Sequence, residues 1–266
     1  MVSAMFGSFA PQSSRSLAPM CERGNLERAM KRILAAFAAC LLLGMPDSAA
    51  AEEPQTSITS VVGWEAVGRL NISGRNMCTG ALVAPDLVVT AAHCVYDPVT
   101  GRQVDPTSIR FDAGLNGRRA KAARSITKTV VHPSYQYGQP GDSQLGNDIA
   151  ILRLDRPISR KMIQPFELAN RPARGASVEV LSYSMAQQNR PNLEQNCHVL
   201  ARQAQILVMT CRVDFGASGA PVFDVAPGRM PRLVSVISAK AAVGNRRVSI
   251  GTSFDRTVIA MMRSAS

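Results

Sequence analysis

The chain has 266 residues, 46% hydrophobic and 18% charged, which is enough apolar material for a sizeable core and excludes a disordered chain. Aromatic residues make up 5%, with a single Trp, so a nucleic-acid surface built on stacked rings is not expected. The net charge is +11, of which residues 52–266 carry +9, but no long block of like charge occurs, so the arginines read as a solvated basic surface.

The chain opens on an address. From Met30, Lys31 and Arg32 form a positive start, Ile33 to Leu43 is an apolar run too short to span a bilayer, and Ala49-Ala50-Ala51 is a small-residue cleavage signal ahead of Glu52. Residues 30–51 are therefore expected to be a secretory signal peptide. The expected product is exported, to periplasm or medium, with no membrane attachment after cleavage. Residues 1–29 lack periodicity and read as an upstream extension from a start assigned too early.

Beyond Glu52 the text is a series of short Val-, Ile- and Leu-rich runs separated by Gly, Pro, Asn and Asp. Strands are predicted over 60–72, 78–84, 87–91, 108–113, 125–131, 149–154, 178–182, 204–209, 221–225 and 233–238. Regular short strands with turn punctuation indicate an all-β sandwich or barrels. At the end, apolar residues at 258, 259, 261 and 262 behind Asp255 predict a short helix over 255–264.

Six Cys become four once Cys21 and Cys40 leave with the leader. An even number in an exported chain points to disulfides, and the pairs near in sequence are Cys78–Cys94 and Cys197–Cys211. Histidines are few and no CxxC spacing occurs, so no metal is expected.

Three segments carry chemistry: Thr90-Ala91-Ala92-His93-Cys94, Gly146-Asn147-Asp148-Ile149-Ala150, and Gly216-Ala217-Ser218-Gly219-Ala220-Pro221. A serine hydroxyl attacks a carbonyl only when a base takes its proton, and His is suited to that exchange near neutral pH. A buried carboxylate fixes the imidazole tautomer. Small residues around the serine let the backbone aim N–H groups at a developing oxyanion.

These strings, with Cys78-Thr79-Gly80-Ala81-Leu82-Val83 and Val131-His132-Pro133-Ser134-Tyr135, resemble the trypsin-like (chymotrypsin-fold) serine proteases, in particular the short bacterial secreted branch near the glutamyl endopeptidases. The resemblance covers essentially all of 60–260. It implies two packed six-stranded antiparallel β-barrels, the first about 60–160 and the second about 161–253, before the C-terminal helix. It implies His93, Asp148 and Ser218 as a triad in the cleft between barrels, and an oxyanion hole from the N–H groups of Gly216 and Ser218. It also implies a Cys78–Cys94 bridge pinning the His93 loop, no cofactor, and a monomer acting on protein or peptide substrates through an acyl-enzyme. The competing expectation is an inactive basic binding protein on a protease scaffold.

The serine motif departs from the family's Gly-Asp-Ser-Gly-Gly-Pro. In trypsins that Asp pairs with a new N-terminal amine and so orders the pocket; here Ala217 stands in its place and offers no carboxylate. Arg212 falls near the pocket floor where trypsin has an Asp, so a preference for Lys or Arg is not implied. Arg212, Ser238 and Lys240 are the expected substrate contacts. Ile237 occupies the place of a glutamyl endopeptidase histidine.

Overall fold

The computed structural model describes residues 63–225 and 230–266. The expected extension over 1–29, the signal peptide over 30–51 and the start of the first predicted strand lie outside the described residues.

Twelve strands among the described residues form two closed antiparallel barrels. The first comprises β1 (Val67–Ile72), β2 (Asn76–Ala84), β3 (Leu87–Thr90), β4 (Ile109–Ala113), β5 (Ala122–Val131) and β6 (Ala150–Leu154). Its strands are ordered β1-β2-β3-β6-β5-β4. The second comprises β7 (Ser177–Ser182), β8 (Asn192–Gln203), β9 (Ile206–Met209), β10 (Pro221–Asp224), β11 (Arg232–Val243) and β12 (Arg246–Ser253). These run β10-β11-β12-β9-β8-β7. Closure removes the exposed edges that an open sheet would offer.

Each barrel has its own core. Leu70, Leu82, Val88, Phe111, Ile126 and Ile151 fill the first, and Val178, Val199, Leu207, Met209, Val222 and Val234 the second. Leu181, Tyr183, Phe223, Leu233 and Val236 of the second half join the core cluster of the first, so the barrels pack against each other. The segment joining them crosses that seam: Phe166 N–H donates to the Leu82 carbonyl at 2.9 Å, and Ala169 N–H to the Leu233 carbonyl at 2.8 Å.

Two α-helices complete the described residues. α1 (Asp142–Asn147) is a short turn ending just before Asp148. α2 (Arg256–Ala265) matches the predicted C-terminal helix, with the Asp255 carboxylate accepting from Val258 N–H at 3.0 Å as its N-cap. Val258, Met261 and Ala265 bury its apolar face.

Sequence periodicity missed β8 and β12. In β8 only Cys197 and Val199 are fully buried, and β12 opens on exposed Arg246 and Arg247. Both are strands because their neighbours' backbones need partners, not because their side chains are apolar.

Candidate active site

His93 follows β3, whose four residues are all buried. It sits on a 3-10 turn (Ala92–Val95) with Ala92, Cys94 and Val95 packed inward. Cys94 is bonded to Cys78 of β2, which ties this turn to the barrel wall. The imidazole alone faces outward, its side chain 31% exposed.

Asp148 ends α1, its side chain 5% exposed. Its carboxylate accepts three hydrogen bonds: His93 N–H at 2.9 Å, His93 Nδ1 at 2.7 Å and Ser238 Oγ at 2.5 Å. A carboxylate facing Nδ1 requires the proton there and leaves Nε2 as an acceptor. Burial by itself would lower the His93 pKa; the charge of Asp148 and its hydrogen bond overcome this and hold it above its ordinary value of 6.5.

Ser218 lies on the turn before β10, partly exposed, between the fully buried Ala217 and Gly219. Gly219 has φ +76°, and a Cβ there would stand 2.0 Å from Thr90 Oγ1 and 2.3 Å from the Thr79 carbonyl oxygen. Only glycine permits this approach of the serine loop to the first barrel. Gly219 N–H donates to the Ile237 carbonyl at 2.7 Å, and the next residue, Ser238, holds Asp148. Thr79 N–H donates to the Ser218 carbonyl at 2.8 Å. The three sequence-predicted residues are thus gathered at one seam. His93 and Asp148 are directly bonded, whereas no hydrogen bond joins Ser218 Oγ to His93 among the described residues. Such a contact often tightens only with substrate in place. The N–H groups of Gly216 and Ser218 have no partner among the described residues.

A model of the family described as Trypsin matches residues 55–247. The chain belongs to the trypsin family. The trypsin of Saccharopolyspora erythraea is 32% identical over 96 residues, covering 36% of this chain and 37% of that protein. Serine protease 23 of Bos taurus is 28% identical over 163 residues, 55% of this chain and 43% of that one. The chain therefore spans less than half the length of these relatives. Among solved structures, a Glu endopeptidase in complex with MPD superposes with a TM-score of 0.65 at 18% identity, over 79% of this chain and 94% of that one. Protease Anisep from Arthrobacter nicotinovorans gives 0.61 at 16% identity, over 76% and 95%. At these identities the likeness is one of fold.

In this trypsin-family chain a group of charged residues lies beside the serine loop. A cavity of about 630 Å³ lies beside the serine loop, with Arg212, Val213, Asp214, Lys240 and Arg247 in its wall. Arg212 N–H donates to Glu194 Oε1 at 3.1 Å. Lys240 Nζ stands 3.5 Å from Asp214 Oδ1 and 3.4 Å from the Phe215 ring centroid, a cation–π contact. Ser238 is not in that wall. Its hydroxyl is committed to Asp148, a role that sequence reasoning did not assign. A second cavity, of about 460 Å³, is bounded by His93, Tyr135, Leu145, Asp148 and Ser238.

The remaining candidates fall elsewhere. Cys197 and Cys211 form the second disulfide, joining β8 to the loop after β9. His132 is buried with Nδ1 accepting from Ser134 N–H at 3.3 Å, and His198 is exposed on β8. Ligand atoms of Cys78, His93 and Cys94 lie within 4.8 Å of one another, but both sulfurs are joined and His93 Nδ1 faces Asp148, which leaves no metal-binding set there.

Proposed function

We propose that the chain is an active serine endopeptidase, exported after removal of residues 30–51, that hydrolyses peptide bonds through Ser218, His93 and Asp148. The observation that carries this reading is the buried Asp148 carboxylate 2.7 Å from His93 Nδ1, at the seam where the serine loop docks.

In this reading His93 Nε2 takes the proton of Ser218 Oγ as the oxygen attacks the substrate carbonyl. Asp148 stabilises the imidazolium without taking its proton. The oxyanion of the tetrahedral intermediate is received by the free N–H groups of Gly216 and Ser218. His93 then protonates the leaving amine, the acyl-enzyme forms on Ser218, and water attacks it by the same route in reverse.

Arg212, Lys240 and Arg247 outnumber Asp214 and Glu194 around the larger cavity. That balance disfavours a Lys or Arg side chain before the scissile bond, with Arg212 and Lys240 as the contacts that set the preference.

A fluorophosphonate probe tests the reading. The wild-type protein should be labelled at Ser218, and Ser218→Ala and His93→Ala should lose on the order of 10⁴–10⁶ in hydrolysis of casein while remaining folded. A wild-type protein that binds peptides or polyanions but neither labels nor hydrolyses is the inactive binding protein instead.

A further inference from the structure

The N–H groups of Gly216 and Ser218 stay aimed only if the peptides that carry them cannot rotate. A trans peptide holds its N–H antiparallel to its C=O, so the partner of the carbonyl sets the direction of the N–H. The Phe215 carbonyl accepts Met185 N–H at 2.7 Å, which directs Gly216 N–H the opposite way. The Ala217 carbonyl accepts Ala220 N–H at 2.9 Å, which does the same for Ser218 N–H. The peptide between them is held at both ends. Its carbonyl, on Gly216, accepts Thr79 Oγ1–H at 3.0 Å, and its N–H, on Ala217, donates to the Asp214 carbonyl at 3.0 Å.

Thr79 is fully buried on β2, in the other barrel. Its hydroxyl oxygen accepts Tyr183 N–H at 3.0 Å, its proton has Gly216 nearer than the Tyr183 carbonyl at 3.4 Å, and its own N–H holds Ser218. Its carbonyl accepts the buried Thr90 hydroxyl at 2.8 Å. One side chain therefore connects the strand end at Tyr183 to the peptide at Gly216, a residue at φ +97° whose backbone no Cβ restrains.

We propose that Thr79, with the Met185 N–H, is the positioning latch of the oxyanion hole. It takes the place of the amine–carboxylate lock that Ala217 cannot complete. The inference rests on Ser218 being the nucleophile and goes beyond it, because it names what keeps the hole formed where Ala217 offers no carboxylate to a terminal amine.

The test uses the full mature chain on a peptide anilide that the wild type cleaves. Removing an oxyanion donor costs about 10²–10³ in kcat, and loosening one should cost somewhat less. Thr79→Val keeps the shape but deletes the hydroxyl, and should lower kcat about 10–100-fold with KM within about threefold of wild type. Thr79→Ser restores the hydroxyl and should recover kcat to within about threefold. Met185→Pro replaces the N–H by a ring Cδ set against the Phe215 carbonyl, so it breaks that contact sterically and should lower kcat at least as far, which keeps the test decisive if Thr79→Val does not fold. Wild-type kcat in Thr79→Val or Met185→Pro overturns the latch, as does a loss that falls on KM alone or a Thr79→Ser protein as slow as Thr79→Val. Fluorophosphonate labelling of each folded variant separates the two levels. Wild type unlabelled at Ser218 removes the protease reading, and the latch with it; wild type labelled beside an unimpaired Thr79→Val removes the latch alone.

Discussion

Replacing Asp148 by Asn keeps the shape of the buried side chain and deletes its charge, and the three bonds that side chain accepts determine how the site responds. If the Asn carbonyl stays on His93 N–H, its NH₂ takes the place of Oδ2 and faces His93 Nδ1 and Ser238 Oγ. The hydroxyl can turn to accept, but Nδ1 must give up its proton, which moves to Nε2 and disables the base. The flipped amide sets NH₂ against the His93 N–H, donor against donor, at a cost of about 1–3 kcal/mol in a buried site. The first arrangement wins, and the rate should fall by roughly 10⁴, about 5.5 kcal/mol of transition-state stabilisation. The pH dependence carries a second signature. In the wild type Asp148 holds the His93 pKa above 6.5 against burial; in the variant burial acts alone and the pKa falls below 6.5. A base must be neutral to act, so the acid limb of kcat/KM should cross from above 6.5 to below it while the maximum drops. Profiles of kcat/KM against pH for both proteins, with circular dichroism as the control for folding, provide the measurement. Asp148→Asn activity within tenfold of wild type, or an acid limb that does not move, refutes the arrangement.

Two further outcomes concern stability. Cys78 and Cys94 close a loop of sequence separation 16, so changing both to Ser should cost about 3 kcal/mol and lower the melting temperature by about 6–12 °C by calorimetry, whereas a change under about 2 °C contradicts this. Burial lowers the His132 pKa despite the nearby Asp255 carboxylate, so the unfolded chain takes up this proton first and stability is lost as pH falls below 6.5. His93, with its raised pKa, contributes the opposite slope: its share is present below 6.5 and lost as pH rises through its folded value. The difference in melting temperature between His132→Gln and wild type should therefore shift in favour of the variant on acidification from pH 7.5 to 5, and no such shift removes the assignment.

The residues of the candidate site were legible as candidates because each lies in a short local string whose composition has a chemical reason, a histidine after a buried strand and a serine among small residues. The apolar strands were legible for the same local reason. What holds the site was not. Ser238 and Thr79 are hydroxyls inside strands that read as apolar, and their partners are 90 and 137 residues away in sequence. A buried hydroxyl at the end of an apolar run is the signal available, and it does not name its partner. β8 lacks an alternating pattern because most of its side chains face partly toward water. α1 carries no helix signal in the sequence, since Gly141 and Gly146 mark a turn more strongly than its few apolar residues mark a helix.

On the proposed reading, the close approach at Gly219 sets the stage of folding at which a site can form. Thr79, Thr90 and His93 belong to the first barrel and residues 214–220 to the second, and the serine loop fits against the first barrel without room for one methyl group. On that reading a half-folded chain is not a slow protease but one without a site. Under the proposed mechanism the ability to cut would appear only once the serine loop is seated on the first barrel to within a methyl's width, so it would report that the two barrels have docked.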